Sequence, residues 1–418
     1  MDRRIYDARF RRGPAVTIEF DGETYRGYEG EPLAVALHAG GVRVLGRSIK
    51  YHRPRSFFCL AGHCGACLMR VSSVPNLRSC QVPCEDGMVA EGQNAFPASD
   101  IDILGAVDFL FPRGMDHHTL MTRSRLMNTV MQRAVRKLSG LGTLPAAPAG
   151  EFPAVVEQTV DVAVIGGGPA GLEVATATAA AGAKTLCVDD QDRMGGSLDP
   201  DAAAKAAAAA AAAGAELVPG TTVIAYFPEE SVLAAVTPAG LRRVRARRYV
   251  YATGAHDVNA PFAGNDRPGV FAARAVHRLL VRHGVVPGAR VAIVGDAPAA
   301  APLADALAGA GVAVETATQA TRARGTKWVE AIDADGRRIA CDTVAVAATP
   351  APASEAARSH GAAVELRPAA GGFAVVIDAM GRTSASGVYA AGDVTGYRGS
   401  AAARAHGAEV GANVVKSL

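Results

Sequence analysis

The sequence predicts an α/β chain that opens with a smaller α+β domain, and three observations predict it. Four of the seven cysteines fall between Cys59 and Cys80, just after a hairpin and a short helical pattern. A strand, a glycine loop, a helix and a second strand follow one another from Val160, and an altered copy of that pattern opens at Ala289. The 418 residues suffice for two or three domains with full cores.

The N-terminal elements come first. Val16 to Phe20 alternates apolar and polar residues, Asp21-Gly22 supplies a turn, and a second strand runs through Tyr25, which together form a hairpin signature. A helix is expected from about Pro32 to Ala39. The next segment, CLAGHCGACLMRVSSVPNLRSC, spaces its cysteines as C-x4-C-x2-C with twelve residues before the fourth. That is the plant-type [2Fe-2S] pattern, in which soft thiolates bind iron. Gly62 and Gly65 suit a loop that wraps a cluster, because they admit unusual dihedrals and let backbone N–H groups approach sulfur. Four merely buried or disulfide-bonded cysteines would not explain this clustering in a chain that uses the residue sparingly. Cys59, Cys64, Cys67 and Cys80 are the expected ligands. Cys84 stands four residues further on as the alternative fourth ligand, with Cys80 favoured for its shorter closing segment. Hairpin, helix and cysteine loop in this order match a β-grasp ferredoxin-like domain over residues 1–100.

Residues 101–158 read as a connector. A Met- and Arg-rich stretch from Met115 to Leu138 has helical periodicity, and its methionines suit packing. A Pro/Ala/Gly-rich linker follows to Pro153.

From Val160, VDVAVIGGGPAGLEVATATAAAGAKTLCVDD is a βαβ unit with Gly166, Gly168 and Gly171 at G-x-G-x-x-G spacing. The first glycine makes the turn, the second admits a pyrophosphate, and the third packs helix on strand. Pro169 and Ala170 open the helix whose N-terminus faces the phosphates. Asp189 ends the second strand about twenty residues on, where it can accept ribose hydroxyls. Cys187, in that apolar strand, reads as core. Ala202 to Ala213 reads as a helix stopped by Gly214. Downstream, RYVYATGA ends a strand at Thr253 and Gly254, and GVYAAGD ends another at Gly392 and Asp393. Small residues at strand ends admit an extended cofactor, and Asp393 is placed for the polyol of a flavin, so the dinucleotide is expected to be FAD. The helix-like segment after Gly399 would direct its positive end toward the charge on a reduced flavin. These segments make an FAD domain of residues 159–260 plus 383–418.

The inserted segment, 261–382, carries the altered copy, ARVAIVGDAPAAAPLADALAGAGVAV. Gly295 holds its place, but Ala297 and Ala300 occupy the second and third glycine positions. Each adds a Cβ where backbone should approach phosphate or helix should pack on strand. The fold is expected and NAD(P) binding is not. The expected architecture is therefore a ferredoxin-like domain followed by a two-dinucleotide-binding-domain flavoprotein fold.

Composition sets further bounds. A net charge of +3 gives no sign of a nucleic-acid or membrane partner, and the basic runs Arg3–Arg12 and Arg242–Arg248 read as solvated surface. No apolar N-terminal region or spanning-length apolar run stands out, so a soluble, cytoplasmic chain without a transmembrane segment is expected. The inserted segment has one cysteine, Cys341, and no C-x-x-C, which excludes a dithiol relay. The histidines, His117 and His118 included, show no metal or catalytic spacing, and no catalytic acid or base stands out.

GRSIKYHRPRSFFCLAGHCGACLMRV, RSCQVPCEDGMVAEGQN, VIGGGPAG, ATGA and YAAGD, in this order, resemble the α-subunit family of heteromeric sarcosine oxidase. The relatives of that family are hydrogen cyanide synthase, the octopine and nopaline oxidases, and the hydroxyproline and proline dehydrogenase complexes. KYHRPR, Lys50 to Arg55, is the most specific part. The sarcosine oxidase α subunit usually lacks the full cysteine set and continues into a large folate-handling domain, whereas this chain keeps four cysteines and stops at Leu418. It also lacks the cysteine-rich C-terminal extension of some relatives. The resemblance implies a flavin and iron–sulfur electron-transfer subunit of a hetero-oligomeric amine or imino-acid oxidoreductase. Substrate oxidation then lies on a catalytic flavoprotein β subunit, with or without a further small subunit. The competing readings are a self-sufficient NAD(P)H-dependent reductase and a scaffold that keeps its cofactors as remnants.

Overall fold

The structure, a computed structural model, describes residues 2–49, 51–103, 124–138 and 154–418. Lys50, His117, His118, the first nine residues of the Met-rich stretch and the Pro/Ala/Gly-rich linker lie outside the described residues. Within that stretch a helix spans Arg125–Leu138. The chain divides into two compact units, residues 1–148 with 259–348, and residues 149–258 with 349–418.

The first unit contains the expected N-terminal domain. Ala15–Phe20 buries Val16, Ile18 and Phe20 and exposes the residues between, the signature of a half-buried strand. It pairs antiparallel with Glu23–Tyr28 through a two-residue turn in which Asp21 and Gly22 both have positive φ, as a primed hairpin turn requires. Its other edge pairs in parallel with Met88–Gly92, which continues the sheet to Leu68–Val71 and Val74–Arg78. The helix Leu33–Ala39 is buried along its whole length.

The same unit holds residues 259–348, the larger part of the inserted segment, with a four-stranded parallel sheet in the order 270–272, 343–346, 290–294, 313–317. One apolar core runs through both parts. Phe57 stacks on Phe271 at 4.4 Å between ring centroids, and His38 packs edge-on against both. The N-terminal arm seals the joint: Arg3 donates to Pro287 O at 2.7 Å, and Ile5 N–H donates to Gly284 O at 2.7 Å. Of the Arg3–Arg12 run, Arg9 and Arg11 are exposed as expected, but Arg3, Arg4 and Arg12 are not the solvated surface expected. Arg4 is buried, pairs with Glu31 at 2.8 Å, and lies over the ring of Tyr28. An arginine that finds a carboxylate and a ring face inside the joint is not left to water.

The second unit is a seven-stranded sheet. Strands 216–218, 185–188, 154–165, 240–251 and 388–390 run parallel, and the meander 222–227, 232–237 and 240–251 completes the sheet. The Ala-rich helix spans Pro200–Ala212, with Gly214 at φ +99° just beyond it. The Pro169–Ala180 helix packs against the Ser400–Lys416 helix, where Gly407 and Gly411 allow close approach; a Cβ on Gly407 would lie 2.3 Å from Ala170 O. Residues 349–382 belong to this unit, so the chain returns to it at 349 and not at the expected 383. The physical reason is pairing: Ala351–Pro352 forms a ladder with Ala255–His256, and Thr253 Oγ1 donates to Ala353 O at 2.6 Å. No helix among the described residues is long and apolar enough to cross a membrane.

Candidate functional site

The structure brings Cys59, Cys64, Cys67 and Cys80 together two by two. The thiols of Cys59 and Cys64 share a hydrogen bond, as do those of Cys67 and Cys80. In each pair one thiol is drawn down by its partner's hydrogen bond, Cys59 to about 5 and Cys67 to about 7, and the other is pushed up. The loop adds backbone donors: Ala61 N–H reaches Cys59 Sγ at 3.4 Å and Ala66 N–H reaches Cys64 Sγ at 3.5 Å. Such donors favour thiolate, the form that binds metal. Gly62 and Gly65 turn the loop at φ +81° and +64°. Among the described residues no three His, Cys, Asp or Glu side chains converge on a single ion. Two pairs of thiols instead fit the four-thiolate donor set that a binuclear cluster would need. Cys64 is exposed while Cys59, Cys67 and Cys80 are buried, so one edge of the site faces solvent.

Cys84 is placed differently. It is fully buried, its sulfur lies against Gly27, and burial pushes its thiol up to about 12. Glu31 and Arg4 are the charges that bear on it, and none of the four paired thiols does.

In the second unit the glycine loop assigns one task to each glycine. Gly166 has φ +104°, and a Cβ there would lie 2.3 Å from Ala252 O. A Cβ on Gly171 would lie 1.8 Å from Gly166 O, so this glycine lets the helix lie on the loop. A Cβ on Gly168 would meet nothing nearer than Gly196 Cα at 4.0 Å. Packing does not require that glycine, and its open side leaves room for the close approach of a ligand. Gly168 caps the helix that Pro169 and Ala170 open, so free N–H groups point at this space.

Asp189 lies beside the loop at the end of its strand. Its Oδ2 accepts Gly167 N–H at 2.6 Å and its Oδ1 accepts Gln191 N–H at 2.9 Å. Those bonds fix the carboxylate beside the loop. Asp393 is also fixed: its Oδ1 accepts Arg398 N–H at 2.8 Å and Gly399 N–H at 3.1 Å, tying the 392–395 turn to the start of the last helix. Gly392 has φ +77° and donates to His406 Nδ1 at 3.0 Å. Thr253 and Gly254 hold the returning segment through the bonds to Ala353.

Residues 160–296 and 290–409 match the family described as pyridine nucleotide-disulphide oxidoreductase, and residues 13–95 match a 2Fe-2S iron-sulfur cluster binding domain. The chain belongs to the pyridine nucleotide-disulphide oxidoreductase family. Within that family it carries an added iron–sulfur domain, and its cofactors are FAD and a [2Fe-2S] cluster. It is a homologue of the sarcosine oxidase α subunit of Rhizobium meliloti, at 30% identity over 403 residues that cover 88% of this chain and 40% of the relative. An opine oxidase component of the same organism is 32% identical over 155 residues, 33% of this chain and 34% of that one. The chain thus spans about two-fifths or less of these relatives' length. The fold resembles that of L-proline dehydrogenase from P. horikoshii, with a TM-score of 0.73 at 22% identity over 97% of this chain and 74% of that one.

The family's second nucleotide loop is altered here as its sequence suggests. Gly295 keeps the turn, with φ +109° and a Cβ position 2.4 Å from Ala347 O. Ala297 is buried and its N–H donates to Ala347 O at 3.2 Å, while the helix begins only at Ala300. The following strand ends at Ala317 without an acid, and the next N–H groups, of Thr318 and Gln319, are taken by Asp335.

Some contributors went unnoticed in the sequence. Gly195 N–H donates to Gly167 O at 2.8 Å, and a Cβ on Gly196 would lie 3.0 Å from Gly168 Cα, so Met194-Gly195-Gly196 forms one wall of the nucleotide loop. The paired glycines six residues after Asp189 were the available signal. Arg78 and Arg278, which bond the cysteine loop, gave none, since nothing local marks an arginine as a partner of a distant carbonyl.

Proposed function

We propose that this chain is the electron-relay subunit of a hetero-oligomeric oxidoreductase that acts on secondary amines or imino acids, the substrate class named in its sarcosine, opine and proline relatives. One observation carries the reading: a [2Fe-2S] donor set and an FAD loop with an open phosphate position share a chain whose second nucleotide loop is filled by Ala297. Cys59, Cys64, Cys67 and Cys80 hold the cluster. Gly166, Gly168, Pro169, Ala170 and Gly171 receive the pyrophosphate, Asp189 the ribose, and Thr253, Gly254, Gly392 and Asp393 the rest of the flavin side chain. FAD accepts two electrons and releases them singly, and a [2Fe-2S] cluster carries one at a time. Substrate oxidation belongs to a partner flavoprotein subunit.

The test is anaerobic reduction of the chain alone and with its co-purifying partners. Proline, sarcosine or an opine should reduce flavin and cluster only in the presence of the partner. Turnover of any of them by the isolated chain with an artificial acceptor would show that the chemistry is misplaced. A second reading, direct NAD(P)H supply, is favoured by the retained four-stranded sheet and by a 43% identical match over 88 residues to the ferredoxin–NAD(+) reductase component of a biphenyl dioxygenase system from Paraburkholderia xenovorans, 21% of this chain and 20% of that one. Rapid bleaching of the flavin by NADH alone would select it.

A further inference from the structure

The start of the cysteine loop is held by a segment foreign to the ferredoxin-like domain. Phe58 O accepts Ala272 N–H at 3.0 Å, and Cys59 O accepts Arg278 Nη1 at 2.6 Å. Ala272 ends the strand Val270–Ala272, and Arg278 opens a π-helical turn, Arg278–Arg282, that continues the helix Ala273–His277. Isolated π-turns commonly mark functional positions. Here the turn keeps Leu279 and Leu280 buried while Arg278 reaches the loop. The stacked Phe57–Phe271 rings fix the two parts immediately beside this contact.

The geometry of the loop gives the contact a purpose. A trans peptide points its carbonyl and its N–H in opposite directions. Gly62 O accepts Arg78 Nη1, while the His63 N–H of the same peptide bonds Cys59 sulfur. At the other end Arg278 takes the Cys59 carbonyl. Leu60, just beyond it, sits at φ +50°, a left-handed turn that a β-carbon disfavours and that the bond to Arg278 helps hold. Guanidinium groups thus face the carbonyl side of the loop, and N–H donors face the sulfurs. Reduction of a [2Fe-2S] centre adds one negative charge, and a fixed cation nearby stabilises that charge.

We infer that Arg278, supplied by the inserted subdomain, is a positioning residue that holds Cys59 and raises the reduction potential of the cluster. The subdomain that has lost its open nucleotide loop has become the electrostatic base of the iron–sulfur site. The inference rests on the reading of Cys59, Cys64, Cys67 and Cys80 as ligands.

The experiment compares the full chain with its R278Q and R278K variants, purified anaerobically with cofactors, by EPR-monitored redox titration. R278Q should shift the cluster potential to more negative values with iron content unchanged, and R278K should stay near the wild type. An unshifted R278Q overturns the inference. If R278Q loses its cluster, R278K decides: loading at the wild-type potential supports the role of the charge, and loss or a shifted potential refutes it. A wild-type chain without a [2Fe-2S] signal would instead overturn the ligand assignment.

Discussion

Gly168 and Gly171 differ by three positions and should fail in opposite ways. Gly168 has φ −77° and ψ −168°, open to any residue, and an added Cβ would meet no protein atom closer than 4.0 Å. The Gly168→Ala fold should therefore lose no more than about 1 kcal/mol, the cost of a poorer helix cap. The same methyl would stand where phosphate must approach. Overpacking of one methyl costs roughly 1–3 kcal/mol, so FAD affinity should fall roughly 5- to 150-fold. Gly171→Ala instead places its Cβ 1.8 Å from Gly166 O, backbone that cannot rotate away. That variant should lose at least about 3 kcal/mol of stability before any ligand is considered. The assay is paired: denaturant unfolding of the flavin-free chain, and fluorescence titration with FAD. A Gly168→Ala chain that binds FAD as tightly as wild type would refute the assignment of this loop to the pyrophosphate.

Three further outcomes are expected. Cys80→Ser should abolish the [2Fe-2S] absorption and EPR signals, while Cys84→Ser keeps both and loses about 1–3 kcal/mol of stability by burying a hydroxyl among apolar groups; the reverse result would exchange their roles. Arg4→Met should cost about 3–5 kcal/mol in urea denaturation, because it leaves Glu31, whose side chain is 8% exposed, without its cation; a change below about 1 kcal/mol would contradict the buried pair. His38 is held neutral by burial, its pKa down to about 3 against the ordinary 6.5, and His360 is lowered to about 4 in the same way. Unfolding lets each take up a proton, so stability is full above pH 6.5 and falls as the pH drops toward those values, by up to about 1.4 kcal/mol per pH unit for each histidine. His38→Met should flatten the fall in melting temperature between pH 6.5 and 4.5. Pro287 O keeps its bonds from Arg3 and Thr343 in that variant, so an unchanged slope would show that His38 is not the group responsible.

Much of this protein was legible in its sequence because the features are local. The Asp21-Gly22 turn, the stop at Gly214 and the glycine loop at Gly166 each depend on backbone conformations that few residues permit, so composition alone marks them. Cysteine spacing is likewise a local constraint, since a short loop can wrap a cluster only with its ligands at set intervals. The choice between Cys80 and Cys84 was different. Both spacings are allowed, and what separates them is that the sheet buries Cys84 against Gly27 and turns Cys80 toward Cys67.

The sequence by itself determined two cofactor frameworks, their order, and the alteration of the second nucleotide loop at Ala297. Tertiary structure decided which partners those frameworks receive. It buried Arg4 with Glu31, returned the chain to the FAD unit at 349, and set Arg278 on the carbonyl of Cys59 across 219 positions. Contacts at such separation leave no periodic or compositional trace, because an arginine is an ordinary surface residue until the fold supplies a carboxylate or a carbonyl for it to meet.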